Sequence, residues 1–254
     1  MKTRWLPFAT YQTKARLRLL CFSHAGGNAR VFRRWGEAIP GEVEVCPVEL
    51  PGRGTRLGEG LVSSMPLLVE TMAAEIEPLL DLPFAIFGHS MGGLVGFELA
   101  RTLRRVYGWE PAALLVAAQN APSVPLERPT AQRCTDGELS DALYRSGGMS
   151  EKALANARFM RVFLPVLRAD YTMVDTYVYT RERPLRCPIH LYTGTEDTLV
   201  SGRGQAEWRR ETSGDFVIHR FPGGHFFLRE AQGPFLASIF VLLRELAWAK
   251  ASPG

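Results

Sequence analysis

The stretch that most constrains the fold is "FAIFGHSMGGLVGFELARTL", Phe84 to Leu103. It begins as a short continuous apolar run, as a strand buried on both faces requires, and continues with the spacing of an amphipathic helix. Only a sharp glycine-rich turn separates the two. A strand passing directly into a helix in this way is the repeating unit of a parallel sheet with helices packed on it.

The rest of the chain repeats the pattern. "LRLLCF" (17–22), "VEVCPVEL" (43–50), "FAIFG" (84–88), "AALLVAA" (112–118), "PIHLYTG" (188–194) and "DFVIHRF" (215–221) are expected strands. Helical spacing marks 29–39, 66–80, 91–106, 201–212 and 234–250. The fold class expected is α/β, a mostly parallel, doubly wound sheet, with residues 1–254 forming one domain. Between the fourth and fifth strands lie about 70 residues, where a crossover needs only about a dozen or more. Within them Met160, Phe163, Leu164, Leu167, Tyr171, Val174 and Val178 recur every three to four positions, and Pro165 is expected to divide two helices. Residues 120–187 are read as a helical lid insertion over a site, with extra core packing as the plainer alternative.

Composition excludes several classes. Hydrophobic residues at 46% and charged residues at 22% are ordinary for a soluble protein with a sizeable core. A net charge of +4 without blocks of like charge argues against nucleic acid. No apolar run reaches membrane-spanning length, and the N-terminal stretch has no uninterrupted apolar segment of the kind a signal peptide needs. Cys21, Cys46, Cys134 and Cys187 lack CxxC spacing and read as reduced residues, with no disulfide framework and no zinc site. A cytoplasmic location is expected.

Gly88-His89-Ser90-Met91-Gly92 is a G-x-S-x-G sequence in the strand-to-helix context its chemistry requires. Such a turn projects Ser90 into open space and aims the following helix N-terminus at any developing oxyanion. A serine hydroxyl needs a base, and the base an orienting acid. His190 and His219 lie in expected strands, and His89 is too near in sequence to turn back onto Ser90. His225, in "FPGGHFFL", sits on a glycine-opened loop after the last strand and is the candidate base. The acid is expected between the two, in "LYTGTEDTLV". Asp197 is preferred because its offset past the turn suits an inward side chain, while spacing alone leaves Glu196 open. Asp170 and Asp175 fall in the expected lid and would move with it. The two oxyanion donors are expected to be the backbone N–H groups of Met91 and of Ala25, the latter in the loop "CFSHAGGNARVFRRW".

Taken together, "FSHAGG", "ELPGRG", "GHSMGGLVGFELAR", "LPVLRADY", "YTGTEDTLV" and "GGHFFL" resemble, in order, stretches of the type II thioesterases of non-ribosomal peptide and polyketide synthesis, within the α/β-hydrolase superfamily. The resemblance runs from about Leu17 to Leu243. It implies a stand-alone editing hydrolase that removes stalled or aberrant acyl groups from the phosphopantetheine arm of a carrier protein. The family's catalytic serine, aspartate and histidine fall on Ser90, Asp197 and His225, and its oxyanion donors on Ala25 and Met91. One departure is Ser23, where the family often has proline before the "HAGG" histidine. Thioester chemistry of this kind requires neither metal nor cofactor. Arg158, Arg161, Arg168, Arg181, Arg183 and Arg186 are either a steering surface for an acidic carrier protein or a solvated helix face. A small-molecule carboxylesterase and a product-releasing thioesterase would use the same triad. The latter is usually fused to a synthase, whereas this chain opens almost at its first strand. A silent binding module on the same fold is disfavoured by three intact catalytic residues.

Overall fold

Six apolar runs become six strands: β1 (Leu17–Phe22), β2 (Val43–Pro47), β3 (Phe84–His89), β4 (Leu114–Ala117), β5 (Ile189–Gly194) and β6 (Phe216–Phe221). The computed structural model describes residues 3–9, 13–39, 41–125 and 130–249. The strands form one sheet in the order β2-β1-β3-β4-β5-β6, and every pair is parallel. The α/β class read from the sequence is the architecture observed.

The continuous apolar runs have a direct cause. Alternate residues of a strand face opposite sides of the sheet, and here both sides are covered. Leu20 and Phe22 of β1 join a core with Ile86, Val95 and Leu99. Leu19 and Cys21 join a second core with Trp35, Phe87, Phe235 and Leu243 on the other face. β1 to β4 are buried throughout, whereas the edge strand β6 is only half-buried.

The helices are α1 (Trp35–Ala38), α2 (Met65–Ile76), α3 (Met91–Tyr107), α4 (Asp136–Arg145), α5 (Glu151–Leu154), α6 (Ala157–Asp175), α7 (Gly202–Glu207), α8 (Phe227–Glu230) and α9 (Gln232–Ala249). The helices expected at 29–39 and 201–212 are each split, part α-helix and part 3-10 turn. Lys250, at the end of the last expected helix, lies outside the described residues, as do residues 1, 2 and 10–12 of the N-terminal stretch. Among the described residues no helix is long and apolar enough to cross a membrane.

The stretch 120–187 carries α4, α5 and α6, with residues 126–129 outside the described set. One expectation fails here. Pro165 does not divide two helices: α6 runs unbroken through it for 19 residues. An interior proline costs about 3 kcal/mol because it removes one main-chain bond and crowds the preceding turn. Pro165 and Arg161, whose carbonyl loses its partner, are both exposed residues, and burial of Met160, Val166, Leu167 and Met173 offsets the cost. Val178 falls beyond α6 and is 78% exposed, so it belongs to no apolar stripe.

The chain enters the sheet at β1, one strand in from the edge, steps out to β2, and returns across β1 to β3. The point where the winding reverses lies between β1 and β3, and ligands of open α/β sheets bind beyond the strand C-termini at such points. Phe22 at the end of β1 is in register with Gly88 of β3, and Gly194 of β5 with Phe221 of β6. The four loops carrying the candidate residues therefore leave the sheet on one edge.

Candidate active site

Ser90 joins β3 to α3 with φ 54° and ψ −125°. A non-glycine residue at positive φ is strained, and such strain persists only where the surroundings hold it. Two main-chain bonds do so: the Ser90 N–H donates to Ala117 O at 2.8 Å, and the Gly93 N–H to Ser90 O at 2.8 Å. A Cβ on Gly88 would collide with the carbonyl of Gly92, and one on Gly92 with the carbonyl of Phe22. The turn is thus tight enough to require glycine on both sides of the serine, whose side chain is left at the sheet's edge.

His225 Nε2 lies 3.0 Å from Ser90 Oγ, and His225 Nδ1 lies 2.9 Å from Asp197 Oδ2. A carboxylate accepts only, so Nδ1 carries the proton and Nε2 presents its lone pair to the serine hydroxyl. The Asp197 side chain is fully buried, and its second oxygen accepts the Leu199 N–H at 2.9 Å. Glu196, the alternative acid, is exposed. Its own N–H donates to Gly223 O at 2.9 Å, and Thr195 N–H to Phe221 O at 2.8 Å, stitching the acid loop to the histidine loop. The two loops press so closely that a side chain on Gly194 would strike the carbonyls of Gly223 and Gly224.

Ala25 belongs to a turn closed by the Gly27 N–H on His24 O at 2.9 Å. Among the described residues neither the Ala25 N–H nor the Met91 N–H donates to a protein group. Both residues line, with Ser90 and His225, a cavity of about 310 Å³. Its other walls include Leu143 of α4, Tyr171 and Val174 of α6, and Leu199 and Val200 after the acid loop.

Two further histidines, His89 and His24, surround the site. His89 cannot reach Ser90, but its Nε2 lies 2.9 Å from the main-chain oxygen of His225. A carbonyl accepts only, so this nitrogen is protonated and the ring neutral; burial pushes its pKa well below the ordinary histidine value. His24 packs edge-on against Phe226, with ring centroids 4.8 Å apart. Burial, then the charges of Arg229 and His225, lower its pKa to about 3. Nothing local in the sequence distinguishes either role, because both contacts arise from loops brought together by the sheet.

A thioesterase-domain family model matches residues 17–241 of the chain. The chain belongs to the thioesterase family. It is a hydrolase acting on thioesters. Among its relatives is gramicidin S biosynthesis protein GrsT of Aneurinibacillus migulanus, 38% identical over 90% of each chain. The solved thioesterase RedJ from the prodiginine pathway of Streptomyces coelicolor superposes with a TM-score of 0.84 at 36% identity, covering 89% of this chain and 90% of that one. The type II thioesterase BorB of the borrelidin cluster gives a TM-score of 0.85 at 32% identity over 97% and 99%. In this thioesterase, two of the six arginines noted above are spent internally: Arg168 on Asp136 and the carbonyls of Ala131 and Cys134, and Arg186 on Glu110. Arg158, Arg161, Arg181 and Arg183 are exposed and form no ion pair among the described residues.

Proposed function

We propose that this thioesterase cleaves acyl groups from the phosphopantetheine arm of carrier proteins through an acyl-enzyme on Ser90. His225 takes the Ser90 proton as Oγ attacks the thioester carbonyl, with Asp197 holding the imidazole in the required tautomer. The N–H groups of Ala25 and Met91 receive the negative charge that develops on the carbonyl oxygen. Collapse expels the thiolate, which takes the proton from His225. Water, deprotonated by His225, then attacks the ester carbonyl; the bond to Oγ breaks, His225 returns the proton to Oγ, and the acid is released with Ser90 restored. The observation that carries this reading is the unbroken Asp197–His225–Ser90 hydrogen-bond chain, opening on an apolar cavity beside two N–H groups without protein partners.

The relatives named for peptide and polyketide pathways support an editing role on a synthase's carrier proteins. In this reading the enzyme is a single cytoplasmic domain, the segment 120–187 acts as a lid that shapes the acyl pocket, and Arg158, Arg161, Arg181 and Arg183 steer an acidic carrier surface. No step calls for a metal or cofactor.

The test compares one acyl group on a phosphopantetheinyl carrier protein and on a simple oxyester, with wild type and Ser90→Ala. Strong preference for the carrier substrate, lost in the variant, is expected. Equal or faster oxyester turnover would make the protein a small-molecule carboxylesterase, and release only of a completed chain would make it a product-releasing enzyme.

A further inference from the structure

His24 is a buried titratable side chain at the site that the chemistry above leaves unused. It opens the "HAGG" turn, is 7% exposed, and borders the cavity together with Ser90 and His225. Its ring meets that of Phe226 edge-on, with centroids 4.8 Å apart, and that of His89 at 5.3 Å. One ring nitrogen, Nδ1, is sealed inside the protein without a hydrogen-bond partner. Nε2 has no partner among the described residues either, but it is not sealed. It is the polar end of the ring that reaches open space, and the space His24 borders is the catalytic cavity.

The proton on this ring can be placed. Burial first, and nearby charges next, hold the pKa to about 3, so the imidazole is neutral and carries a single N–H. A buried N–H with no acceptor is rarer and costlier than an idle lone pair. Nδ1 therefore keeps its lone pair, and Nε2 presents the N–H to the cavity. Cavities walled by residues such as Leu143, Val174 and Phe226 bind mainly through apolar contact and rely on a few fixed polar groups for orientation. The Nε2–H of His24 is a group of that kind, and its complement is an oxygen of the substrate.

Position decides which oxygen. In the reaction proposed above the departing sulfur takes its proton from His225, so it must lie against His225 Nε2, and the arm it carries must leave past the base. Both ring neighbours of His24 belong to that base. Phe226 follows it in the chain, and His89 Nε2 lies 2.9 Å from its main-chain oxygen. On its other side His24 is bonded to Ala25, whose N–H is assigned to the thioester oxygen. We propose that His24 is a specificity-determining residue that reads the thiol half of the substrate: its Nε2–H donates to the first amide carbonyl beyond the sulfur of the pantetheine arm. The proposal rests on the reading of this protein as a Ser90-dependent thioesterase acting on such arms. That amide is common to every carrier-bound substrate, so the contact selects the arm whatever acyl group it bears.

The test uses two thioesters of one fatty acyl group. The first is formed with N-acetylcysteamine, which keeps the amide next to the sulfur, and the second with pentanethiol, of the same length and without an amide. Both are assayed with wild type, His24→Phe and His24→Gln. Phenylalanine keeps a ring against Phe226 and removes the donor, whereas glutamine keeps an N–H at similar reach. The readout is the ratio of kcat/KM for the amide ester to that for the alkyl ester. Any loss of folded protein cancels within this ratio, and the intrinsic reactivities of the two esters cancel between enzymes. His24→Phe should lower the ratio roughly five- to tenfold, the worth of one neutral hydrogen bond, and His24→Gln should stay within about twofold of wild type. A ratio within about twofold of wild type in His24→Phe would overturn the proposal. That is the result if His24 serves the oxyanion, meets an acyl oxygen or only fills space, since each of these acts on both esters alike. A ratio lowered equally in His24→Gln would overturn it too, because the donor would then not be the cause. Ser90→Ala on the same esters separates the two failures: loss of turnover there upholds the Ser90 mechanism whatever His24 does, and undiminished turnover would overturn that mechanism and this proposal with it.

Discussion

His89 Nε2 lies 2.9 Å from the main-chain oxygen of His225, so one histidine holds the backbone of the other. His89 is fixed by the end of β3, one residue before Ser90, and His225 stands on a loop after β6. The bond therefore couples the strand that carries the proposed nucleophile to the position of the proposed base. His89→Phe keeps much of the ring's packing and removes the donor. Leaving the His225 carbonyl without its partner should lower stability by about 1–3 kcal/mol in urea unfolding. kcat should drop about tenfold as the base loses its alignment. Unchanged kcat would show that the loop holds His225 without this bond.

The acid is tested by paired substitutions. Asp197→Asn keeps the shape but offers the wrong hydrogen-bonding group to His225 Nδ1, and kcat should fall by about 10⁴ with the fold intact. Glu196→Gln, at an exposed side chain, should leave kcat within about twofold of wild type, as surface substitutions commonly do. Steady-state kinetics on one acyl thioester reads both, and the reverse ranking would move the acid to Glu196.

His24 makes a prediction about acid. Its pKa is near 3 in the folded protein, through burial first and the charges of Arg229 and His225 next, against 6.5 ordinarily. Below about pH 6.5 the unfolded chain binds a proton that the folded one refuses, so stability falls as pH falls. At pH 5 this single residue should remove about 2 kcal/mol of stability relative to pH 7.5. The side chain makes no hydrogen bond among the described residues, so His24→Phe removes the titration without breaking one. Urea unfolding at both pH values should show a smaller acid loss in the variant by about that amount. An identical loss would place the acid sensitivity elsewhere.

The cavity beside Ser90, proposed to take the acyl chain, is bounded on one side by Val174 of α6. Val174→Phe adds volume there and should shift the preference toward shorter acyl chains, read as the ratio of kcat/KM between a long and a short acyl thioester. Each methylene excluded from an apolar pocket is worth about 1–3 kcal/mol. A ratio unchanged from wild type would mean that the acyl chain leaves the cavity by another wall.

The sheet was legible because its strands are buried on both faces. Consecutive apolar residues bounded by glycine and proline have few other uses, and all six runs are strands within three residues of the expected limits. The residues brought together at the site were legible for a related reason: each follows a strand, and parallel strands send those loops to one edge. What the sequence hid depends on partners distant along the chain. Arg53 and Asp170 are 117 positions apart and meet only through packing of the insertion. His89 looked idle because its partner is a main-chain oxygen, which no side-chain pattern records. Pro165 misled because its local penalty is outweighed by the buried face of α6.

The most direct measurement is the mass of the enzyme itself. Wild type mixed with excess acyl thioester, acid-quenched within one turnover and analysed intact, should carry one acyl group, and digestion should place it on the peptide containing Ser90. Ser90→Ala should carry none and should hydrolyse nothing, although its fold is kept. Turnover without any adduct in wild type, together with undiminished hydrolysis by Ser90→Ala, would contradict an acyl-enzyme on this serine.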